Sequence, residues 1–447
     1  MDRIREWFAP TTAYEPIHEQ ADGDEDSRLA PETQPSPPFS RVIYAVFFVL
    51  GVSMLWAWNM FLAAAPYFHH RFQSDQWASS HYQSSILTVS TVTNLASVFA
   101  LAKIQNGASY PRRIAVSLLI NIVVFTLLAF STIILKHASI PVYFGFLMIM
   151  VSGSALATGI NQNGVFAYVS GFGREEYTQA IMSGQGVAGV LPSLAQIISV
   201  LAVPETKGKQ STSEESWKSA FGYFITATAV SALTLVAFLW LAKRQSQHLS
   251  DDDDDDRSES INSEGTSNKS VSLWVLFSKL RLTALSIFLC FVVTMMFPVF
   301  TSKIESVHNS PNGSRFFQPA VFIPLAFLVW NTGDMVGRIL VLIPRFSLAH
   351  RPWALVIFAI ARAGFIPLYF LCNIRGEGAV VQSDFFYLFI IQGIFGATNG
   401  YLASCCMMGF GSWISAEERE PAGGFMTLML VGGLAAGSLL SFFAANV

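Results

Sequence analysis

Residues Val42-Ile43-Tyr44-Ala45-Val46-Phe47-Phe48-Val49-Leu50-Gly51-Val52-Ser53-Met54-Leu55-Trp56-Ala57-Trp58-Asn59-Met60-Phe61-Leu62-Ala63-Ala64-Ala65 run for 24 positions without an Asp, Glu, Lys or Arg. A helix of that length rises about 36 Å, enough to cross a hydrocarbon core of roughly 30 Å. Similar runs recur near residues 84–102, 114–135, 142–170, 178–202, 219–242, 282–300, 318–344, 352–372, 385–411 and 422–445, making eleven. Composition agrees, since 52% of the 447 residues are hydrophobic and 13% are charged, about half the charge of a soluble domain. Of the 57 charged residues, 13 lie in residues 1–41 and 14 in residues 243–281, leaving 30 among the other 367. A body so poor in charge cannot be wetted all round, which predicts an all-α integral membrane protein with eleven transmembrane helices.

The two charged segments set the organisation. Residues 1–41, with Asp22-Gly23-Asp24-Glu25-Asp26 and a Pro-rich stretch, are expected to form a disordered cytosolic tail; they lack the apolar region of a signal peptide. Residues 243–281 hold the run Asp251 to Asp256 and the phosphorylatable Ser258 and Ser260, and are expected to form an acidic cytosolic loop. That loop separates a six-helix bundle, residues 42–242, from a five-helix bundle, residues 282–447. With the N-terminus in the cytosol, 17 of the 27 Lys and Arg face that side, eight the other, and two lie within spans, the sense expected from the positive-inside rule. The sequon Asn312-Gly313-Ser314 then faces away from the cytosol, whereas Asn268-Lys269-Ser270 faces it.

Several functions are excluded by the same pass. A net charge of −3 and a pI near 6.2 offer no basic surface for nucleic acid. Cys290, Cys372, Cys405 and Cys406 all sit in apolar stretches, with neither a disulfide framework nor zinc spacing. No phosphate-binding GxxxxGK[ST] occurs, so no use of ATP is expected. Membrane lipid is an expected partner, no cofactor is expected, and the oligomeric state is left unassigned.

Gly184-Gln185-Gly186-Val187-Ala188-Gly189 matches a dinucleotide fingerprint in letters only, because it lies inside an apolar helical run. Ala180, Gly184 and Ala188, four apart, are better read as a close helix contact, a device that Gly433 and Gly437 repeat. The sharper signal is Asp334 with Arg338, four residues apart and so on one helix face. An ionised group at mid-membrane costs about 2.5–3.5 kcal/mol or more, and this pair can offer donors and acceptors to a hydroxyl-rich ligand. The blander reading is an ion pair that pins helices. Arg362 is alone on its span, where it either pairs with Asp334, bonds carbonyls, or snorkels to the interface. Trp58 offers a flat face for stacking and Asn59 an amide. The carboxamides of Asn161, Gln162, Asn163 and Gln185 suit either ligand edges or interhelical bonds. His69, His70, His81, His137 and His308 fall on the non-cytosolic side, as solvated loop residues or as a response to an acidic lumen.

Taken together, these motifs resemble one family, the equilibrative nucleoside transporters, of solute carrier type and in a fungal-like form. The resemblance rests on Trp58-Asn59-Met60-Phe61 and on Tyr177-Thr178-Gln179-Ala180-Ile181-Met182-Ser183-Gly184-Gln185-Gly186. It rests further on Asn331 with Gly333-Asp334 and Gly337-Arg338, on Pro367-Leu368-Tyr369-Phe370-Leu371-Cys372-Asn373, and on Asn399-Gly400-Tyr401-Leu402-Ala403-Ser404. It covers residue 42 to the C-terminus. Trp56-Ala57 stands where Leu-Pro often precedes Trp-Asn, which leaves the bend of the first helix unplaced.

The resemblance implies a 6+5 arrangement related to the major facilitator fold, with a cytosolic N-terminus and substrate held between the halves. It implies facilitative transport of nucleosides such as uridine and adenosine, or of nucleobases, by alternating access, and no enzyme activity. Carried over residue by residue, it sets Trp58 at the base and Leu62 where substrate and inhibitor preference is tuned. Gln162 faces the base if one residue is inserted in the following loop, and Asn163 does so otherwise. Asp334 and Arg338 meet the ribose, and Arg362 belongs to the cytosolic gate. Asn59, Gln185 and Asn331 complete the expected substrate-binding set. Alternatives are a proton-coupled nucleoside carrier of an acidic organelle and a sugar or drug carrier of the major facilitator type; pairing of Asp334 with Arg338 argues against proton relay. The tail holds no clean dileucine signal, although Glu25-Asp26-Ser27-Arg28-Leu29 approaches one, and an internal, vacuolar or lysosome-like membrane is slightly favoured over the plasma membrane.

Overall fold

A computed structural model describes residues 39–105, 107–202, 213–256, 271–310 and 314–444. The dileucine-like stretch, Ser258, Ser260 and the asparagines of both sequons, Asn268 and Asn312, lie outside the described residues. Among the described residues eleven helices are long and apolar enough to cross a membrane: α1 Arg41–Phe72, α2 Gln76–Lys103, α3 Tyr110–Ile134, α4 Ile140–Gly171, α5 Glu175–Ile198, α6 Trp217–Gln245, α7 Leu273–Thr301, α8 Pro319–Leu340, α9 Pro352–Tyr369, α10 Phe386–Trp413 and α11 Ala416–Ser441. Each contains one of the eleven apolar runs or nearly so. Around the central linker the helices continue past the runs, α6 as far as Asp256 and α7 from Leu273, because charge ends an apolar run without ending a helix.

Local chemistry sets where the helices start and bend. The Asp75 carboxylate caps α2 by accepting from the Ala78 amide at 3.0 Å, and α3, α4, α8 and α9 carry proline in their first turn. The helical ladder of α1 breaks at Ala64, two residues before Pro66, and that of α7 at Met295, three before Pro298. Proline lacks the amide hydrogen that continues the ladder, so the first helix bends near Pro66 and not at Trp56-Ala57. In α10 the first two turns, Phe386–Gly393, are π-helical.

Within the first six helices α1 packs on α5 and α6, and α4 packs on α2 and α3; within the last five α8 packs on α10, and α7 on α9, α10 and α11. Across the two halves α5 meets α8 and α10, while α11 meets α2 and α4. Small residues make the closest crossings. A side chain on Gly184 of α5 would collide with the Phe48 carbonyl of α1, and one on Gly333 or Gly337 of α8 with the backbone of α10. The letters of the dinucleotide fingerprint therefore encode helix contact.

Hydrophobic packing differs between the two ends of the bundle. At the end that carries the α6–α7 linker, one apolar cluster draws residues from both halves, from Val46 to Val431. At the opposite end there are two clusters, one confined to the first half around Phe125 and Phe224 and one to the second half around Phe300 and Tyr369. Residues 161–169, 177–186, 399–410 and 421–428, all in the linker-end portions of α4, α5, α10 and α11, are buried on every face. The halves are thus joined at the linker end and hold separate cores at the other.

Candidate functional site

Asp334 and Arg338 on α8 form an ion pair, Nε to Oδ2 at 2.6 Å, and each residue is only 5% exposed. The other carboxylate oxygen of Asp334 accepts from Asn399 Nδ2 of α10 at 2.7 Å. Arg338 reaches across the seam between the halves, where Nη1 donates to the Met182 carbonyl and to Gln185 Oε1 of α5, both at 3.0 Å. Gln185 Nε2 in turn points at Met54 Sδ of α1 at 3.4 Å. One charged pair therefore ties α8 to α5, α1 and α10.

Arg362 does not snorkel. It is 1% exposed, at the start of a short 3-10 turn, Arg362–Gly364, that interrupts α9. All five of its N–H groups have acceptors. Nε donates to Thr398 Oγ1 at 3.2 Å, Nη1 to the Cys290 carbonyl at 2.9 Å and its Sγ at 3.0 Å, and Nη2 to Thr294 Oγ1 and Asn399 Oδ1, each at 3.2 Å. Its face lies over the Phe395 ring, 4.8 Å from the centroid. Every acceptor is neutral, and Asn399 stands between this guanidinium and Asp334. Among the described residues the network holds two guanidiniums and one carboxylate, and Asn399 is its junction.

The other expected residues divide into those already bonded and those left open. Asn59 Nδ2 donates to the Ala188 carbonyl at 2.7 Å, and Asn331 Nδ2 to Ser193 Oγ at 3.0 Å, so both stitch α5 to a neighbour. Asn163 accepts from Arg113 Nη1 of α3 at 2.7 Å, within the linker-end seal. Its neighbour Gln162 is buried with Oε1 unpartnered, as is Asn161 with Oδ1. Trp58 is half-buried, and Leu62, one turn further, is 56% exposed. Of the histidines, His308 meets Asp384 at 2.9 Å and His81 stacks on Trp77, and neither enters the network.

At the linker end polar contacts add to the apolar cluster that joins the halves. The side chains of Glu420 and Arg419 at the start of α11 lie over Gly171 and Gly173 in the α4–α5 turn. Gly173 has φ of 65°, a left-handed conformation that a side chain would strain. Sequence reasoning missed Asn399, Thr294, Arg113 and this contact. Asn399 belongs to a recognised motif, but nothing in the linear order of the chain announces that it touches Asp334.

Two helical halves, joined at one end and bridged across their seam by the bonds of Arg338, have the architecture of the major facilitator fold. FucP, a major facilitator transporter solved in the outward conformation, shares the fold with a TM-score of 0.55 at 13% identity, covering 91% of this chain and 95% of its own. The proton:xylose symporter XylE does so with a TM-score of 0.59 at 11% identity, covering 91% and 89%. Residues 146–445 match the family model described as nucleoside transporter, and the chain belongs to that family. It is 32% identical to the nucleoside transporter FUN26 of Saccharomyces cerevisiae over 89% of this chain and 83% of that protein. It is 29% identical to equilibrative nucleoside transporter 1 of Homo sapiens over 90% and 96%. This family transports nucleosides and is not a family of enzymes.

Proposed function

We propose that the chain moves nucleosides down their gradient by alternating access around the seam, with the ribose on Asp334 and Arg338 and the base against the first half. The observation that carries this reading is the buried Asp334–Arg338 pair bonded across the halves to Gln185 and Met182. A ribose diol offers paired donors and acceptors that match a carboxylate beside a guanidinium. Ligand bound there bridges the two bodies whose relative motion defines alternating access. Trp58 supplies the stacking face, and Leu62 an apolar edge. Between the adjacent carboxamides, Gln162 suits the base because its oxygen awaits a donor, whereas Asn163 is committed to Arg113. Asn59 and Asn331 hold α5 in place and present their remaining oxygens. Arg362 acts in the gate through the packing of α7, α9 and α10, which its bonds join.

Facilitated diffusion fits better than proton coupling, since Asp334 is the only carboxylate of the network among the described residues and already serves Arg338 and Asn399. Nucleosides fit better than free bases, which lack the hydroxyls. In orientation, the linker end with its acidic run faces the cytosol, in an internal membrane. Counterflow tests the reading. Liposomes preloaded with unlabelled uridine should accelerate entry of labelled uridine, and uracil should compete at least tenfold more weakly, about the worth of one or two lost bonds to a charged group. Absence of counterflow, or equal competition by uracil, contradicts it.

A further inference from the structure

Asn399 sits where α8 and α10 touch backbone to backbone: a side chain on Gly396 would collide with the Trp330 carbonyl, and one on Gly400 with the Asp334 carbonyl. It is 2% exposed and has little room to turn. Chemistry fixes its amide in one sense. Only the NH2 group can face the Asp334 carboxylate, at 2.7 Å, and only the oxygen can receive Arg362 Nη2 at 3.2 Å; Thr294 Oγ1 lies 2.6 Å from that oxygen, its one hydrogen shared with the Cys290 carbonyl at 2.7 Å. Arg362 and Asp334 are thereby kept apart by one carboxamide, although opposite charges in so dry a place attract strongly. With Arg338 on one oxygen and Asn399 on the other, each carboxylate oxygen keeps a lone pair for a ligand hydroxyl.

From this geometry we infer that Asn399 is a positioning residue for substrate recognition: it spaces Arg362 from Asp334 and aims the carboxylate at the seam, so that selectivity for the ribose hydroxyls depends on it. Without the amide, Asp334 turns to Arg362 and forms a second ion pair inside the second half, withdrawn from the seam. Thr294 on α7 and Arg362 on α9 hold the amide oxygen, so the aim of the carboxylate follows the packing of those helices. The inference rests on the nucleoside reading above, whose ribose contact it refines.

The test compares half-saturation for uridine and 2′,3′-dideoxyuridine in liposomes holding the purified full chain, with thermal stability measured alongside. The native protein should prefer uridine by roughly tenfold or more, as expected for bonds to a charged group. Asn399→Ala should bring the two within about twofold while still carrying the dideoxy compound, because its loss is of aim and not of the carrier. Thr294→Val, which removes one of the bonds to the amide oxygen, should move the ratio the same way by about threefold. A folded Asn399→Ala that keeps the native ratio overturns the inference while leaving the transport reading intact. Where Asn399→Ala does not fold, an unchanged ratio in Thr294→Val overturns it. A native protein that transports neither compound, or treats both alike, overturns the ribose contact itself.

Discussion

The two halves meet the seam with opposite habits. In the second half the charged groups of the network are paired in advance: each Asp334 oxygen has one donor, from Arg338 or Asn399, and Arg362 has an acceptor for each N–H. In the first half Asn94, Asn121, Asn161 and Gln162 each keep a buried carboxamide oxygen without a partner. An unpaired charge in a dry interior is far more costly than an unpaired amide, for which about 1–3 kcal/mol is typical. The second half must therefore be built complete before ligand arrives, while the first can wait for the ligand to complete it. On the proposed reading, the rigid half sorts sugars and the unsatisfied half adapts to bases.

The severest way to break this contrast is to strip the paired half of its anion. Asp334→Ala leaves two buried guanidiniums with no carboxylate, and uptake should fall by roughly a hundredfold or more with the protein still folded in detergent; Arg338→Ala should do the same. Near-normal uptake by both would remove the pair from the mechanism. Next in size is Arg362→Lys, which keeps the charge but not the planar five-donor fork. Flux should drop by about tenfold and thermal stability with it, because Thr398, Cys290, Thr294 and Asn399 cannot all be served by one ammonium.

A smaller effect sharpens the difference between adjacent carboxamides. Gln162→Leu should raise half-saturation for uridine about tenfold with no loss of stability, since its oxygen has no partner to lose. Asn163→Leu should leave half-saturation within about threefold and instead lower flux, because Arg113 loses its acceptor in the linker-end seal. If Asn163→Leu changes affinity and Gln162→Leu does not, the base lies against the other carboxamide. Smallest is Leu62→Met, a nearly volume-conserving exchange at an exposed edge, which should alter the adenosine-to-uridine preference by less than about fivefold.

Most of the fold is legible in the linear chain because burial in lipid leaves a coarse mark: eleven long apolar runs, all but two of them free of charge, and one charged linker. The bend in α1 is less so, since Pro66 lies at the edge of its run and the more familiar position, Trp56-Ala57, carries no proline. The π-helical start of α10 leaves no mark at all, as Phe386–Gly393 is apolar like any other run. In the site, Asp334 and Arg338 stand out because a helix brings residues four apart together. Asn399 and Thr294 do not, since neutral polar residues are common in spans and only the fold sets them beside a charge. For the same reason the difference between Gln162 and Asn163 on which the proposed reading turns is invisible in sequence, because Arg113, which bonds Asn163, lies on another helix. Arg362 is conspicuous as a lone cation, yet its five neutral acceptor atoms come from two other helices, Cys290 and Thr294 of α7 and Thr398 and Asn399 of α10.

The most direct measurement is uptake of radiolabelled uridine and adenosine into liposomes holding the purified protein, with and without a pH gradient, beside Asp334→Ala. Saturable uptake that needs no gradient and vanishes in the variant is the predicted result. Uptake that requires an inwardly directed proton gradient, or no uptake of either nucleoside by a folded and inserted protein, would contradict a facilitative nucleoside carrier.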